Sequence, residues 1–414
     1  MKRSTKKIFH KLIQEIINDG DGDIFKKNLI ELRNSEKESF KEIILQNKLS
    51  PNLISFIHKN NLKNLFDKAS LKEFENQFKR YQINSLSSIR ELHLLEDILR
   101  DKGLSPIYLK GIALQPEYDD ISLRPFVDID ILLKKSEILR AFQALHENDF
   151  LAKSEKEYLN EKNIDDFCKN FHHVHLITKN NISIELHHRV TQNRYFFNCP
   201  ITSKFFKNIR QINYYGKIIN VPSIENLAIH QLCHFFLSGF KGLLRTLSDI
   251  RIISNNHDID WYKLISSNRN KKIQKCLYLS LEIMNFNNIP IEGMNDIRNF
   301  CKDSLLNDEI ILNSQEKLFD IHKRVQGENL YEQIYKPQKL FTILTKILFP
   351  KRNILIYRYK IQDPTIYNIL KTYLKYLFLQ TRKLGYLFIF FQNRKTSSEN
   401  IKYTRSIDIW FNKD

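Results

Sequence analysis

The sequence predicts an α+β fold: a strand-bearing core set between extensive α-helical N- and C-terminal regions. Two observations predict it. The hydrophobic period is helical up to Asp101 and again from Pro222 onward, whereas between them apolar residues alternate with Asp, Glu and His. A third supports it. Hydrophobic residues make up 42% and aromatics 12%, with only 10 Gly and 10 Pro, which excludes a disordered or fibrous chain.

At 414 residues the chain exceeds one compact domain. The expected division is a helical region over 1–99, the α+β core over 100–200, a helical subdomain over 201–335 and a basic amphipathic helical region over 336–414. In the lead-in, Leu86, Ile89, Leu92, Leu95 and Ile98 recur at helical spacing, and Gly103 supplies a stop. PIYLKG then reads as a short strand entering a turn at Lys110-Gly111 and a helix. RPFVDIDILL reads as a strand, and SEILRAFQALHEND as a helix capped by Ser136. HHVHLIT and NISIELHH form a hairpin through Lys179-Asn180-Asn181. Ser223 caps the helix IENLAIHQLCHFFLSG, and LLRTLSDIRIIS follows as a second amphipathic segment.

The net charge of +18 favours phosphate, nucleic acid or an anionic surface as partners. Its distribution is uneven. Leu104 to Val190 carries 11 basic and 14 acidic side chains, whereas Lys336 to Lys395 carries 13 basic residues against Asp363 alone. That C-terminal stretch interleaves charge with large apolar groups. It reads as amphipathic helices on an anionic membrane, as a nucleic-acid face, or as a helical subdomain with solvated lysines. Nowhere do 18 consecutive apolar residues occur. The five cysteines are scattered without a CxxC pair, which indicates a reducing compartment; the expected location is the cytoplasm, with peripheral contact at the inner face of the membrane left open.

The candidate chemistry lies in the carboxylates. Alternate side chains of a strand share a face, so Asp128 and Asp130 project together while Val127, Ile129 and Ile131 face the core. In NISIELHH the face bearing Ser183, Glu185 and His187 opposes Ile182, Ile184 and Leu186. Three acids on adjacent strands suit hard divalent ions, which draw their remaining ligands from substrate phosphates. For those phosphates the turn Lys110-Gly111 offers backbone N–H groups and a cation, and Arg124 a bidentate clamp. No GxxxxGK loop or kinase signature is present.

Together LKGIAL, RPFVDIDILL with its following helix, and SIELHHRV resemble the bacterial nucleotidyltransferase-like family of the DNA polymerase beta superfamily. The shared pattern is Leu-Lys-Gly, an Arg followed by Asp-Ile-Asp, and a later Glu-Leu-His. The likeness runs on through His230, His234 and the Leu-Ser-Asp-Ile at 247–250, covering roughly residues 85 to 265. It implies a small mixed sheet flanked by helices, Mg²⁺ or Mn²⁺, and a nucleoside triphosphate such as ATP. By matching positions, Asp128 and Asp130 are the paired metal ligands, Glu185 the third carboxylate, and Gly111 part of the nucleotide-binding turn. The wider superfamily usually carries Gly-Ser at that turn; here Lys110-Gly111-Ile112 stands instead.

Five of the 13 histidines fall in the hairpin segment: His172, His173, His175, His187 and His188. Alternation places His172 and His173 on opposite faces, which argues against a transition-metal site, and leaves His187 beside Glu185 to orient a phosphate or carboxylate. His230 and His234 lack the glutamate of HExxH and are expected to line a pocket or pack. The expected function is transfer of a nucleoside monophosphate from an NTP to a hydroxyl-bearing acceptor, whether protein, small molecule or RNA. The alternative is a catalytically degenerate nucleotide-binding or interaction module that docks on nucleic acid or an anionic membrane through residues 336–395.

Overall fold

The structure is a computed structural model. It describes residues 3–126, 128–152, 164, 167–168, 171–191, 201–240, 244–302, 310–312, 314, 318, 355, 361, 365–378 and 410. The chain groups into two compact units: Met1–Phe150 with Phe171–His322, and Leu151–Asn170 with Lys323–Asp414. The expected N-terminal region, most of the α+β core and most of the following helical region therefore belong to the first unit. In the second unit residues 366–378 are helical, with Ile366, Tyr367, Leu370, Leu374 and Phe378 exposed and Tyr376 buried. Apart from 355, 361 and 365–378, the basic stretch 336–395 lies outside the described residues.

The first unit opens with helices α1 (Arg3–Asn18), α2 (Gly22–Ile30), α3 (Asn34–Gln46), α4 (Ser50–Lys59) and α5 (Lys68–Asp101). Asp67 caps α5 by accepting from the Ser70 N–H at 2.8 Å. At its other end Gly103 takes the left-handed conformation, φ 67°, and the N–H groups of Gly103 and Leu104 close onto the carbonyls of Arg100 and Leu99. The predicted stop is thus a glycine C-cap. Ile89, Leu92, Leu95 and Ile98 are buried, but Leu86 is exposed: a strict three-residue spacing drifts round the helix, and Ser85 and Ser88 take the buried face there.

Six strands of this unit follow: β1 (Ile107–Tyr108), β2 (Asp128–Leu132), β3 (His173–Ile177), β4 (Ser183–His187), β5 (Ile209–Tyr214) and β6 (Lys217–Pro222). They lie in one mixed sheet in the order β3-β4-β2-β1-β6-β5. β2 runs antiparallel to β1 and parallel to β4, β1 runs parallel to β6, and β3–β4 and β5–β6 are hairpins. The first hairpin turns where predicted: Asn181 is left-handed, and the Thr178 hydroxyl accepts from the N–H groups of Asn180 and Ile182.

The second hairpin corrects the expectation that 201–335 is wholly helical. Residues 209–222 alternate and turn at Tyr215-Gly216, both with positive φ, so the sheet continues to Pro222. Helices return as α6 (Lys110–Leu114) and α7 (Ile138–Glu147) within the sheet, then α8 (Ile201–Lys207), α9 (Ile224–Leu237), α10 (Leu244–Asn256), α11 (Trp261–Ser266), α12 (Lys271–Phe286) and α13 (Met294–Phe300). Ser223 caps α9 through the Asn226 N–H at 3.3 Å. Ser136 does not cap α7: it falls inside a 3₁₀ turn, Lys135–Glu137, whose entry is held by the Lys134 N–H on Glu137.

Candidate active site

Strand pleat and pairing build the site. On β2 the side chains of Ile129 and Ile131 are fully buried beneath the sheet, which sends Asp128 and Asp130 to the other face; Val127 lies outside the described residues. The parallel register sets Asp130 beside Glu185, Asp128 beside Ser183 and Leu132 beside His187. The antiparallel register then adds His175 beside Glu185 and His173 beside His187. One face of three strands therefore carries Asp128, Asp130, Glu185, His187, His173 and His175.

The fourth element is α6. The Leu109 N–H donates to the Asp130 carbonyl at 2.9 Å, so the chain leaves β1 directly over β2, and Lys110 turns with a φ of 46° to point its ammonium at the acids. Lys110 Nζ lies 2.6 Å from Asp130 Oδ1 and 3.6 Å from Glu185 Oε2. Lys110, expected at the phosphates, stands in this structure as a counter-ion of the carboxylates. Gly111 is buried against Phe126, and a Cβ there would come within 2.4 Å of the Phe126 Cβ. Its glycine is demanded by close packing of α6 on the segment entering β2.

His187 completes the floor, its Nε2 lying 2.9 Å from Asp130 Oδ1 and 3.1 Å from Glu185 Oε2. Asp130 and His187 are almost wholly buried, whereas Glu185 keeps 16% of its side chain exposed. The site opens to solvent on the Glu185 and Asp128 side.

The charges follow from this packing. Burial alone would raise the Asp130 carboxyl, but the Lys110 ammonium and His187 outweigh it and hold it well below the usual carboxylate range. For His187 burial opposes the charged imidazolium, yet its hydrogen bonds to Asp130 and Glu185 raise it above the ordinary value. Asp128 is raised, first by burial and then by the nearby charge of Asp130, with Lys110 opposing. Lys48, on the turn between α3 and α4, is pushed down to about 8 by burial and by Arg245, with Asp128 pulling the other way. No sequence signal marks Lys48, because only the fold brings it within the field of Asp128.

Arg124 is turned elsewhere. Its Nε lies 2.5 Å from Asp249 Oδ1, and the Tyr118 hydroxyl donates to the same oxygen at 2.8 Å. Both members of that ion pair are buried, so the geometry gives Arg124 a structural partner rather than a phosphate. His230 is buried and packs edge-on against Phe205, and burial drives its imidazole well below the ordinary range. The opposite-face expectation for His172 and His173 fails, because His172 sits on the bend before β3 and escapes the strand alternation; His173 Nδ1 lies 2.9 Å from His172 Nε2.

The carboxylates of this cluster suit a divalent ion, and His187 stands against them as a hydrogen-bond donor. One ligand atom each from Asp130, Glu185 and His187 lies within 4.8 Å of the others. Asp128, on the same face, accepts no hydrogen bond among the described residues, and its carboxyl is raised by burial first and by the charge of Asp130 second.

A family model described as an uncharacterised nucleotidyltransferase matches residues 34–285. No curated protein and no solved structure matches the chain. The matched segment begins at α3, ends within α12 and includes every site residue above, and it covers more than half of the chain. The chain belongs to this nucleotidyltransferase family.

Proposed function

We propose that the protein transfers a nucleoside monophosphate from an NTP to a hydroxyl-bearing acceptor in a reaction that depends on Mg²⁺ or Mn²⁺. The observation that carries this reading is the convergence of Asp130 and Glu185 beside His187, with Asp128 on the same sheet face and 16% of the Glu185 side chain exposed. Asp128, Asp130 and Glu185 are the residues that would hold the metal. Bound there, divalent ions supply positive charge to the phosphates and make the acceptor hydroxyl easier to deprotonate. The acceptor oxygen forms a bond to the α-phosphorus in line with the leaving pyrophosphate, whose bond to phosphorus breaks. The hydroxyl proton passes to a carboxylate of the cluster. Lys110 and His187 keep Asp130 and Glu185 ionised and fixed in orientation.

In the test, full-length protein is incubated with each α-labelled NTP, Mg²⁺ and a cell extract. Label should move to an acceptor, and Asp128→Ala with Asp130→Ala should lower that transfer by at least about a hundredfold. Equal transfer by wild type and double variant would refute the proposal. A second reading, a non-catalytic nucleotide-binding module, is favoured by one observation: the Lys110 ammonium already pairs with Asp130 at 2.6 Å and lies 3.6 Å from Glu185. It predicts NTP binding that is calorimetrically visible without any transfer of label.

A further inference from the structure

We propose that His172, His173 and His187 form a second site, adjoining the carboxylates, for a divalent transition-metal ion of the zinc class. One ligand nitrogen from each ring lies within 4.8 Å of the other two. His172 and His173 already meet, with ring centroids 4.1 Å apart, and the His187 ring lies 5.5 and 5.0 Å from them. Around a tetrahedral ion bound at zinc–nitrogen distances the donors stand about 3.3 Å apart, so modest ring rotations close the set.

The independent observation is at His187. Its Nε2 faces two acceptors, Asp130 and Glu185, and therefore carries a proton. That leaves Nδ1, which is buried and has no hydrogen-bond partner among the described residues. As an N–H it is a buried donor with nothing to accept it; as a lone pair it is a ligand awaiting an ion. A metal-bound imidazole whose other nitrogen donates to a carboxylate is a recurrent arrangement, because the carboxylate fixes the ring and strengthens it as a donor. Three imidazoles select zinc, cobalt or nickel over magnesium, which prefers oxygen. The ion would lock the start of β3 to the end of β4 and so position His187, and through it Asp130 and Glu185. A fourth position stays open for water or a substrate group.

Co²⁺ is the probe, titrated into metal-stripped full-length protein in excess Mg²⁺, which occupies the oxygen-rich site. One equivalent should produce the intense visible absorption of tetrahedral nitrogen coordination. His172→Asn and His173→Asn, which keep polarity but lose the imidazole, should each weaken Co²⁺ binding by at least about tenfold while leaving the circular dichroism unchanged. His175→Asn, on the same strand but bonded to Ser183, should bind as wild type does. Asp128→Ala should also keep the band, so the result is independent of whether the chain transfers nucleotides. Absence of the band in wild type, or its survival in both His172→Asn and His173→Asn, would overturn the proposal.

Discussion

At Asp130 two basic side chains meet one carboxylate oxygen: Lys110 Nζ at 2.6 Å and His187 Nε2 at 2.9 Å. That concentration of charge holds the buried Asp130 carboxyl well below the usual carboxylate range and leaves Asp128 as the acid with no hydrogen-bonded partner among the described residues. Lys48 lies in the same field, and its depressed value, about 8, sets a pH dependence. Below that pH it is an ammonium that attracts phosphate; above it the charge is gone. NTP affinity, measured by calorimetry between pH 6.5 and 9.5, should therefore weaken as pH rises through about 8. Lys48→Met should be uniformly weak and flat across that range; an unchanged alkaline limb in the variant would remove Lys48 from the site. At this scale the acids were legible, since period-two alternation assigns Asp128, Asp130 and Glu185 to one face from covalent geometry alone. Their counter-ion was not: Lys110 reaches Asp130 across 20 positions through the antiparallel pairing of β1 with β2.

Among the elements, α6 is the one that tolerates least change. A methyl group at Gly111 would strike the Phe126 side chain at its stem, close to the backbone, where no rotamer offers relief. Gly111→Ala should cost about 1–3 kcal/mol in urea unfolding and should also lower activity, because Phe126 leads directly into the strand that carries Asp128 and Asp130. Phe126→Gly in the same chain, which removes the Cβ that the new methyl strikes, should recover part of the alanine penalty, which would locate the cost in that contact. The β5–β6 hairpin shows where element reading stopped short. Its strands carry Ile, Asn, Tyr and Lys with one face largely wet, so the apolar signal is weak, and the Tyr215-Gly216 turn was the only strong cue. The expected cap at Ser136 failed for a related reason: a nearby Glu137 satisfied the same backbone entry, and local chemistry alone does not choose between two competent groups.

Over the whole first unit, the Arg124–Asp249 pair joins the segment entering β2 to α10, 125 positions away. Asp249→Asn would leave a buried guanidinium without its anion, which costs about 3–5 kcal/mol and should lower Tm by roughly 10 °C. Arg124→Met with Asp249→Leu should restore most of that loss, since an apolar pair carries no desolvation penalty. If the double variant melts as low as the single, the pair does more than balance charge. The chain alone determined the α+β class, the helical frame, the hairpin turn at Asn181 and the face on which each acid stands, because these depend on periodicity and on bonds between near neighbours. Tertiary structure decided the rest: that Asp130 lies beside Glu185 rather than a register away, that Lys110 sits between them, that Arg124 is claimed by Asp249, and that His172 leaves the strand to join His173. Those outcomes turn on which distant strands pair and which charges share a buried space, and such through-space energies have no local spelling in a sequence.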